Sequence, residues 1–397
     1  MGLERTRYIL ERMGNPQLDY RTIHVGGTNG KGSTCMFIAS VLKEAGYRVG
    51  LYTSPHVQDF RERITVDFEP IGEDSLRTVV AQMKPIVEDM EGGMRPTYFE
   101  VITALAFDHF SKAGVDYAVI EVGLGGTMDA TNVIVPEASV ITNISMDHTT
   151  MLGSTLEGIA REKAGIIKPG VPLYTAEEKA GPLAVMEEKC RGMNCKMVLA
   201  TGKYGKRECL GLDGQRFELE GRRGTYGLRT SLLGAHQMEN AALAVVVAED
   251  LGIDKTSIER GISNTRSLPG RMEIARRRPL VILDGAHNPG AMDALGDTIR
   301  EVHPGGKRLL VIGILKDKAI GEMVEIVSPL FDEIYITRPK SDRAAEPGVI
   351  QRALGRGVVV EDVEEAVEHA LGRAGPGDMV CVTGSFYTVA EAREAMA

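Results

Sequence analysis

The run His24-Val25-Gly26-Gly27-Thr28-Asn29-Gly30-Lys31-Gly32-Ser33 follows an apolar strand-like segment and opens a helical pattern. Successive backbone N–H groups in such a turn converge on an anion, and the helix dipole adds attraction. The run therefore reads as a phosphate cradle, with Lys31 reaching the terminal phosphates. The general P-loop pattern places Ser or Thr directly after Lys and a Gly five residues before the second Gly. Here Gly32 intervenes and position 25 is Val. The strand–loop–helix context carries the assignment despite that mismatch.

Further polar residues stand where other apolar runs end. Ser54 follows Val49–Thr53, Glu121 lies at the end of Tyr117–Val122, and Asp147 and His148 follow Val140–Ile144. In open α/β sheets the carboxyl ends of the strands are where ligands bind. A hydroxyl, a carboxylate and an imidazole facing phosphates are candidate magnesium ligands; imidazole is uncommon on magnesium, so manganese stays open.

Apolar strands alternating with helical patterns must position these residues, which is the signature of parallel α/β architecture. Strands are expected at Thr22–Val25 and at the runs above. Helices are expected at Ser33–Ala45, Asp74–Asp89, Phe99–Lys112, Leu156–Ile166, His236–Leu251 and Lys255–Ile262. Residues 171–232 read as choppier, with short strands and glycine-rich turns. Ser267-Leu268-Pro269-Gly270 then interrupts the pattern as a hinge. Beyond it come strands Leu280–Leu283, Arg308–Ile314, Glu333–Thr337 and Met379–Thr383, with helices Pro289–Val302, Gly348–Leu354 and Val363–Leu371. The expected fold is a P-loop-containing, doubly wound, mostly parallel sheet domain at 1–266, a hinge at 267–270, and a smaller Rossmann-like α/β domain at 271–397.

Composition bounds the function classes. Of 397 residues, 43% are hydrophobic and 25% charged, ordinary for a soluble globular protein. A net charge of −9 argues against a nonspecific nucleic-acid coat but allows a local basic site. No apolar run approaches a membrane span, and the N-terminal segment lacks an apolar signal core. Five scattered cysteines fit a reduced, cytoplasmic chain better than a disulfide framework. Cys190 and Cys195 lack a second pair at zinc-site spacing.

The ordered motifs resemble the folylpolyglutamate synthase/dihydrofolate synthase family of the Mur ligase superfamily. They are the Gly27–Ser33 loop, Thr53-Ser54-Pro55-His56, Thr97-Tyr98-Phe99-Glu100, Glu121-Val122-Gly123-Leu124-Gly125-Gly126 with Asp129-Ala130-Thr131-Asn132, and Asp147-His148 with Leu152-Gly153. Arg161-Glu162-Lys163-Ala164-Gly165-Ile166, His236-Gln237 with Glu239-Asn240, Pro269-Gly270-Arg271, Asp284-Gly285-Ala286-His287-Asn288-Pro289 and Gly384-Ser385-Phe386 follow. The intervening Gly32 is the family's own form of the loop.

The resemblance implies ATP as co-substrate, bound by Gly27, Thr28, Asn29, Gly30, Lys31, Gly32 and Ser33 with Asn240, Arg271, Asp284 and His287. It implies magnesium, one ion or two, on Ser54, Glu121, His148 and a carbamylated Lys163. Lys31, His148 and Lys163 are the catalytic set that follows. Thr97, Phe99, Asp129 and Ala130 match positions lining the pterin pocket, and Ser385 is placed with the substrate. The implied substrates are a pterin or folate acid and L-glutamate, joined by a monomer with no nucleic acid or membrane partner. Two positions depart from the pattern: Thr127 stands where relatives commonly have Arg, and the sequence starts close to Gly2-Leu3-Glu4-Arg5, where relatives often carry a further helix.

Lys163 also has a reading of its own. Ser154-Thr155-Leu156-Glu157 resembles a capping box, so a helix should begin there. Lys163 lies four residues after Ile159 and four before Ile167, on the inward face. A buried ammonium is costly, so its pKa should fall and the free amine can take up carbon dioxide. An inward lysine paired with a carboxylate is the alternative. For the whole chain the alternatives are a Mur-type ligase with another acid and amine, and a P-loop switch or ATPase.

Overall fold

The computed structural model describes residues 2–90, 92, 95–200, 203–303 and 305–396. Its first lobe is built on an eight-stranded sheet of β1 (Arg21–Gly26), β2 (Val49–Tyr52), β3 (Ile64–Val66), β4 (Glu69–Pro70), β5 (Tyr117–Glu121), β6 (Ala138–Ile141), β7 (Leu173–Thr175) and β8 (Met197–Leu199). The spatial order is β4-β3-β2-β5-β1-β6-β7-β8. Every pair from β2 across to β8 is parallel; only β3 and β4, at one edge, run antiparallel. The strands at the centre, β2, β5 and β6, are buried throughout, as a parallel sheet covered on both faces requires.

Each face has its own core. On one, Ile23, Val25, Val119 and Val140 meet the helix Lys31–Glu44, which lies under the helices Gln237–Asp250 and Lys255–Asn264. That first helix is buried almost all round, so its apolar residues form no single stripe. Helix Lys255–Asn264 crosses it at Gly261, where an added Cβ would lie 2.4 Å from the Val41 Cα. On the other face, Tyr52, Ala118 and Ile120 pack with residues of helices Glu4–Arg12 and Tyr98–Ala113.

Residues 171–232 divide in two. The first part continues the parallel sheet through β7, a helix at Ala180–Gly192 and β8. That helix escapes a periodicity reading because it buries only Pro182, Met186 and Cys190, a stripe one residue wide. It ends with a left-handed Asn194 at φ +48° and paired bonds, Cys195 N–H to Cys190 C=O at 3.0 Å and Asn194 N–H to Arg191 C=O at 3.2 Å. This is a Schellman cap, and it explains the Cys190–Cys195 spacing without a metal. The second part is an antiparallel sheet of β9 (Lys203–Tyr204), β10 (Glu208–Cys209), β11 (Gln215–Glu220) and β12 (Thr225–Thr230). β11 and β12 alternate buried and exposed residues, so Phe217, Leu219, Tyr226 and Leu228 join the first core.

The second lobe is a six-stranded sheet of β13 (Glu273–Arg277), β14 (Leu280–Leu283), β15 (Arg308–Ile312), β16 (Glu333–Ile336), β17 (Val358–Val359) and β18 (Met379–Thr383). Its order is β13-β14-β18-β15-β16-β17, parallel except for β13. In this lobe β13, β17 and the helices Ile320–Val327 and Phe386–Glu394 are additions to the elements expected from the sequence. No helix among the described residues is long and apolar enough to cross a membrane.

Candidate active site

The carboxyl ends of both parallel sheets open onto one cleft of about 1040 Å³. On the first lobe, β1 runs into Gly27 and Gly30, at φ +131° and +82°. A Cβ at Gly27 would fall 1.8 Å from Thr142 Oγ1, and one at Gly30 2.3 Å from Asn240 Oδ1. These two positions need glycine for space as well as conformation. The loop is bolted to the segment after β6: Thr28 N–H donates to Asn143 C=O at 2.8 Å, and Thr142 Oγ1 donates to Asn29 C=O at 2.6 Å. The helix begins at Lys31, two residues earlier than expected. Lys31, Gly32 and Ser33 therefore form its first turn, where backbone N–H groups lack intrahelical partners. Lys31 Nζ donates to Thr28 C=O at 3.0 Å and so lies along the loop.

Beside this loop stands Glu121, 1% exposed, whose Oε2 accepts the Ser54 N–H at 2.8 Å. Burial raises its pKa, opposed by Lys31 and the Ser54 amide. A buried carboxylate so sparsely bonded, next to a serine hydroxyl and a phosphate cradle, suits a hard divalent cation. His148 lies elsewhere along the edge, held at φ +50°, a strained value for a residue with a side chain. Its Nε2 is 3.2 Å from Lys318 Nζ. Among the described residues no three His, Cys, Asp or Glu side chains cluster as a metal site. The proposed set also uses a hydroxyl and a lysine, which such a cluster leaves out.

Lys163 points inward, 5% exposed, and donates to Gly27 C=O at 2.7 Å. Burial is the main cause that brings its pKa down to about 7, with Lys31 adding to it. Its hydrogen-bond partner is a carbonyl and not a carboxylate, so the paired-lysine alternative does not describe it. The helix carrying it, Leu156–Lys163, is capped by Thr155, whose Oγ1 accepts the Gly158 N–H at 3.1 Å. The cap thus falls one residue later than the capping box expected. Glu157 is therefore not at the position from which it could return the bond, and residues 164–166 tighten into a 3₁₀ turn. Thr127, at the departure from the family pattern, donates through N and Oγ1 to the Glu162 carbonyl at 3.0 and 3.1 Å.

Of the acid-pocket candidates, Phe99 and Asp129 line the cleft, and Thr97 and Ala130 do not. Thr97 caps the helix Tyr98–Ala113 in a reciprocal box with Glu100. Ala130 is buried at the start of a 3₁₀ turn. The Phe99 ring lies over Gly123, where a Cβ would come within 2.3 Å of Cζ. Asp129 is buried, and its raised pKa reflects burial first, with hydrogen bonds from Thr131 and the Leu124 amide opposing.

The second lobe contributes Arg271, with its guanidinium 4.3 Å from the Phe386 ring centroid. Asp284 accepts the Met272 and Ala286 N–H groups at 2.8 and 2.9 Å. His287 Nδ1 is 2.7 Å from Gly285 C=O, which places the neutral ring's proton on that nitrogen. Ser385 lines the cleft, but its Oγ caps the helix Phe386–Glu394 by accepting the Thr388 N–H at 3.1 Å. Asn240 lines the cleft too, with Nδ2 donating to Gln237 Oε1 at 2.9 Å.

Three residues that belong to none of the expected ATP, metal or substrate sets join the lobes. Asp147 accepts Lys318 Nζ at 2.6 Å and Asn288 Nδ2 at 3.1 Å, and His287 Nε2 lies 3.6 Å away. Lys318, His287 and the neighbouring His148 hold the Asp147 carboxyl well below the usual carboxylate range despite burial. Asn288 also donates to Asn29 Oδ1 at 3.0 Å, bringing the second lobe to the phosphate loop itself. In the sequence Asn288-Pro289 closes a motif and signals a helix start, and Asn288 does cap Pro289–Val302. Lys318 follows β15 with no motif to mark it.

Residues 25–248 match the Mur ligase middle domain and residues 270–386 the Mur ligase, glutamate ligase domain. The chain is 38% identical to a probable bifunctional folylpolyglutamate synthase/dihydropteroate synthase of Halobacterium salinarum, over 99% of this chain. It spans about half, 49%, of that relative's length. It is 35% identical to the dihydrofolate synthase/folylpolyglutamate synthase of Bacillus subtilis, over 99% of this chain and 94% of that one. The Mycobacterium tuberculosis folylpolyglutamate synthase complexed with ADP and AMPPCP matches with a TM-score of 0.94 and 31% identity, over 100% of this chain and 95% of that one.

Proposed function

Because the chain belongs to the folylpolyglutamate synthase/dihydrofolate synthase family of Mur ligases, we propose that it is an ATP-dependent, ADP-forming ligase that adds L-glutamate to a pterin or folate carboxylate. One observation carries the reading: the phosphate loop, the Phe99–Asp129 pocket and the second lobe's Arg271, Asp284 and His287 all face a single cleft.

A carboxylate is a poor electrophile at neutral pH, and phosphorylation gives it a leaving group. The acid's carboxylate oxygen attacks the γ-phosphorus of ATP, the bond to the β-phosphate oxygen breaks, and ADP leaves. The glutamate nitrogen then attacks the acyl carbon, a tetrahedral intermediate forms, and inorganic phosphate departs with the acyl C–O bond pair. The protein's part is alignment and neutralisation of charge. First-turn amides and Lys31 bind the phosphates. Arg271, fixed against Phe386, supplies a cation from the second lobe. Asn240, Asp284 and His287 complete the nucleotide side. Phe99 offers a flat apolar face to a heterocycle, and Asp129 an acceptor to its N–H groups. The bonds from Asn288 and Lys318 hold the lobes together over the cleft, which keeps water from the acyl phosphate.

Ser54, Glu121, His148 and a carbamylated Lys163 would hold magnesium, one ion or two. When bound, magnesium supplies positive charge to the phosphate oxygens. The free amine of Lys163, favoured by its lowered pKa of about 7, is the form that adds carbon dioxide.

Both dihydropteroate and reduced folates are expected as acids. Mass spectrometry of products from each acid with ATP and L-glutamate tests this directly. A single added glutamyl unit on dihydropteroate supports the synthase reading, and glutamylation of folates alone removes that half of it.

A further inference from the structure

The buried surroundings of Asp129 reach back to the strand that carries the phosphate loop. His24, on β1 three residues before Gly27, is fully buried, and its Nε2 lies 2.8 Å from Thr131 Oγ1. Thr131 Oγ1 lies 2.5 Å from Asp129 Oδ1, and the Thr131 backbone N–H donates to the same oxygen at 3.0 Å. An ionised carboxylate only accepts, so the threonine hydrogen points to Asp129. The hydroxyl's lone pair then receives the His24 Nε2–H. The other imidazole nitrogen, Nδ1, is buried with no hydrogen-bond partner, as suits the unprotonated nitrogen of that tautomer. Asp129 Oδ2 is fixed separately by the Leu124 N–H at 2.8 Å.

We propose that His24 and Thr131 are positioning residues for the acid substrate: a one-way relay, His24 to Thr131 to Asp129, that locks the carboxylate's rotamer and aims it into the cleft. The proposal rests on Asp129 meeting the pterin acid. Neither relay residue lines the cleft, so both act through Asp129. The relay also gives the acid pocket and the phosphate loop one common support, since β1 leads directly into Gly27. Asp129 Oδ1 takes the Thr131 hydroxyl and amide, Oδ2 takes the Leu124 amide, and the Gly123 amide adds a further bond, so the carboxylate is held on both oxygens and presented to the cleft in one orientation. Such an acceptor is specific about direction, and loss of its support is felt as weaker acid binding rather than as slower chemistry.

The test is steady-state kinetics of the full-length protein with dihydropteroate, ATP and L-glutamate for Thr131→Val, Thr131→Ser and Asp129→Asn. Thr131→Val keeps the shape and removes the hydroxyl. It should raise the KM for dihydropteroate about ten-fold, leaving the KM for ATP and kcat at saturating acid within about two-fold. Thr131→Ser should restore the KM. His24→Gln, which keeps a side-chain N–H donor, should stay nearer wild type than His24→Leu. Circular dichroism melting of each variant separates loss of fold from loss of aim. If Thr131→Val melts like wild type and its KM is unchanged while Asp129→Asn raises the KM, the relay is refuted and the pocket stands. If Asp129→Asn also leaves the KM unchanged, the reading of the pocket itself fails.

Discussion

The phosphate loop and the acid pocket lie at neighbouring points of one sheet edge and are built by opposite means. The loop would recognise phosphate mainly through the backbone: two left-handed glycines and first-turn N–H groups, joined by one lysine. The proposed pocket would recognise through side chains that other groups hold: Asp129 by Thr131, two positions on, and Thr131 by His24, 107 positions away. A backbone site depends on a short stretch and tolerates little variation in it. A side-chain site distributes its requirements over elements that only the fold brings together.

The largest effect should come from the backbone side. Lys31→Ala removes the charge that the proposed mechanism sets against the phosphates, at a partly exposed side chain, so ligation should fall by about a thousand-fold or more with the melting temperature unchanged. Wild-type turnover in that variant would erase the distinction drawn here. Lys163→Ala should cost roughly a hundred-fold, and acetate or formate should restore part of it if a carboxylate-like group is what is missing. Only the free amine takes up carbon dioxide, and the lowered pKa of about 7 makes that form abundant above neutrality. Reactivation of decarbamylated protein by dissolved carbon dioxide at equal concentration should therefore be faster at pH 8 than at pH 6. A rate independent of pH would contradict the amine's role.

On the pocket side, Asp129→Ala should raise the KM for dihydropteroate more than that for folates, by about ten-fold or more, with little change for ATP. An equal loss for all three substrates would mean that the residue supports the fold rather than the pterin. The smallest effect is expected where the lobes meet. Asn288→Ala gives up a helix cap worth about 1 kcal/mol together with bonds to Asn29 and Asp147. It should lower kcat a few-fold, with a rise in ATP hydrolysis uncoupled from ligation.

The same contrast decides what could be read from the sequence. The glycine loop, the strand-end positions of Ser54 and Glu121, and the inward face of Lys163 depend on local pattern, and the structure places them as the pattern implies. Errors there are of one or two residues: the helix starts at Lys31 rather than Ser33, and Thr155 caps without a reciprocal Glu157. The resemblance places Thr97 and Ser385 with the substrate, and in the structure their hydroxyls are engaged as helix caps, a role that Thr-x-x-Glu at 97–100 also spells. Asp147, Lys318 and Asn288 could not be grouped in advance, because the contact spans up to 171 positions and exists only once the two lobes meet. The helix Ala180–Gly192 is illegible for a different reason, its buried stripe being too narrow for periodicity to register.

Coupling of ATP cleavage to the joining of an acid and an amine in one cleft is read out by ADP release from the purified protein. The assay supplies ATP and magnesium with dihydropteroate, with L-glutamate, with both, and with neither. Sustained ADP release is expected only when both are present, matched one to one by glutamylated product. Sustained ADP release with neither substrate, unchanged by adding them, would identify a nucleotide hydrolase and contradict that coupling.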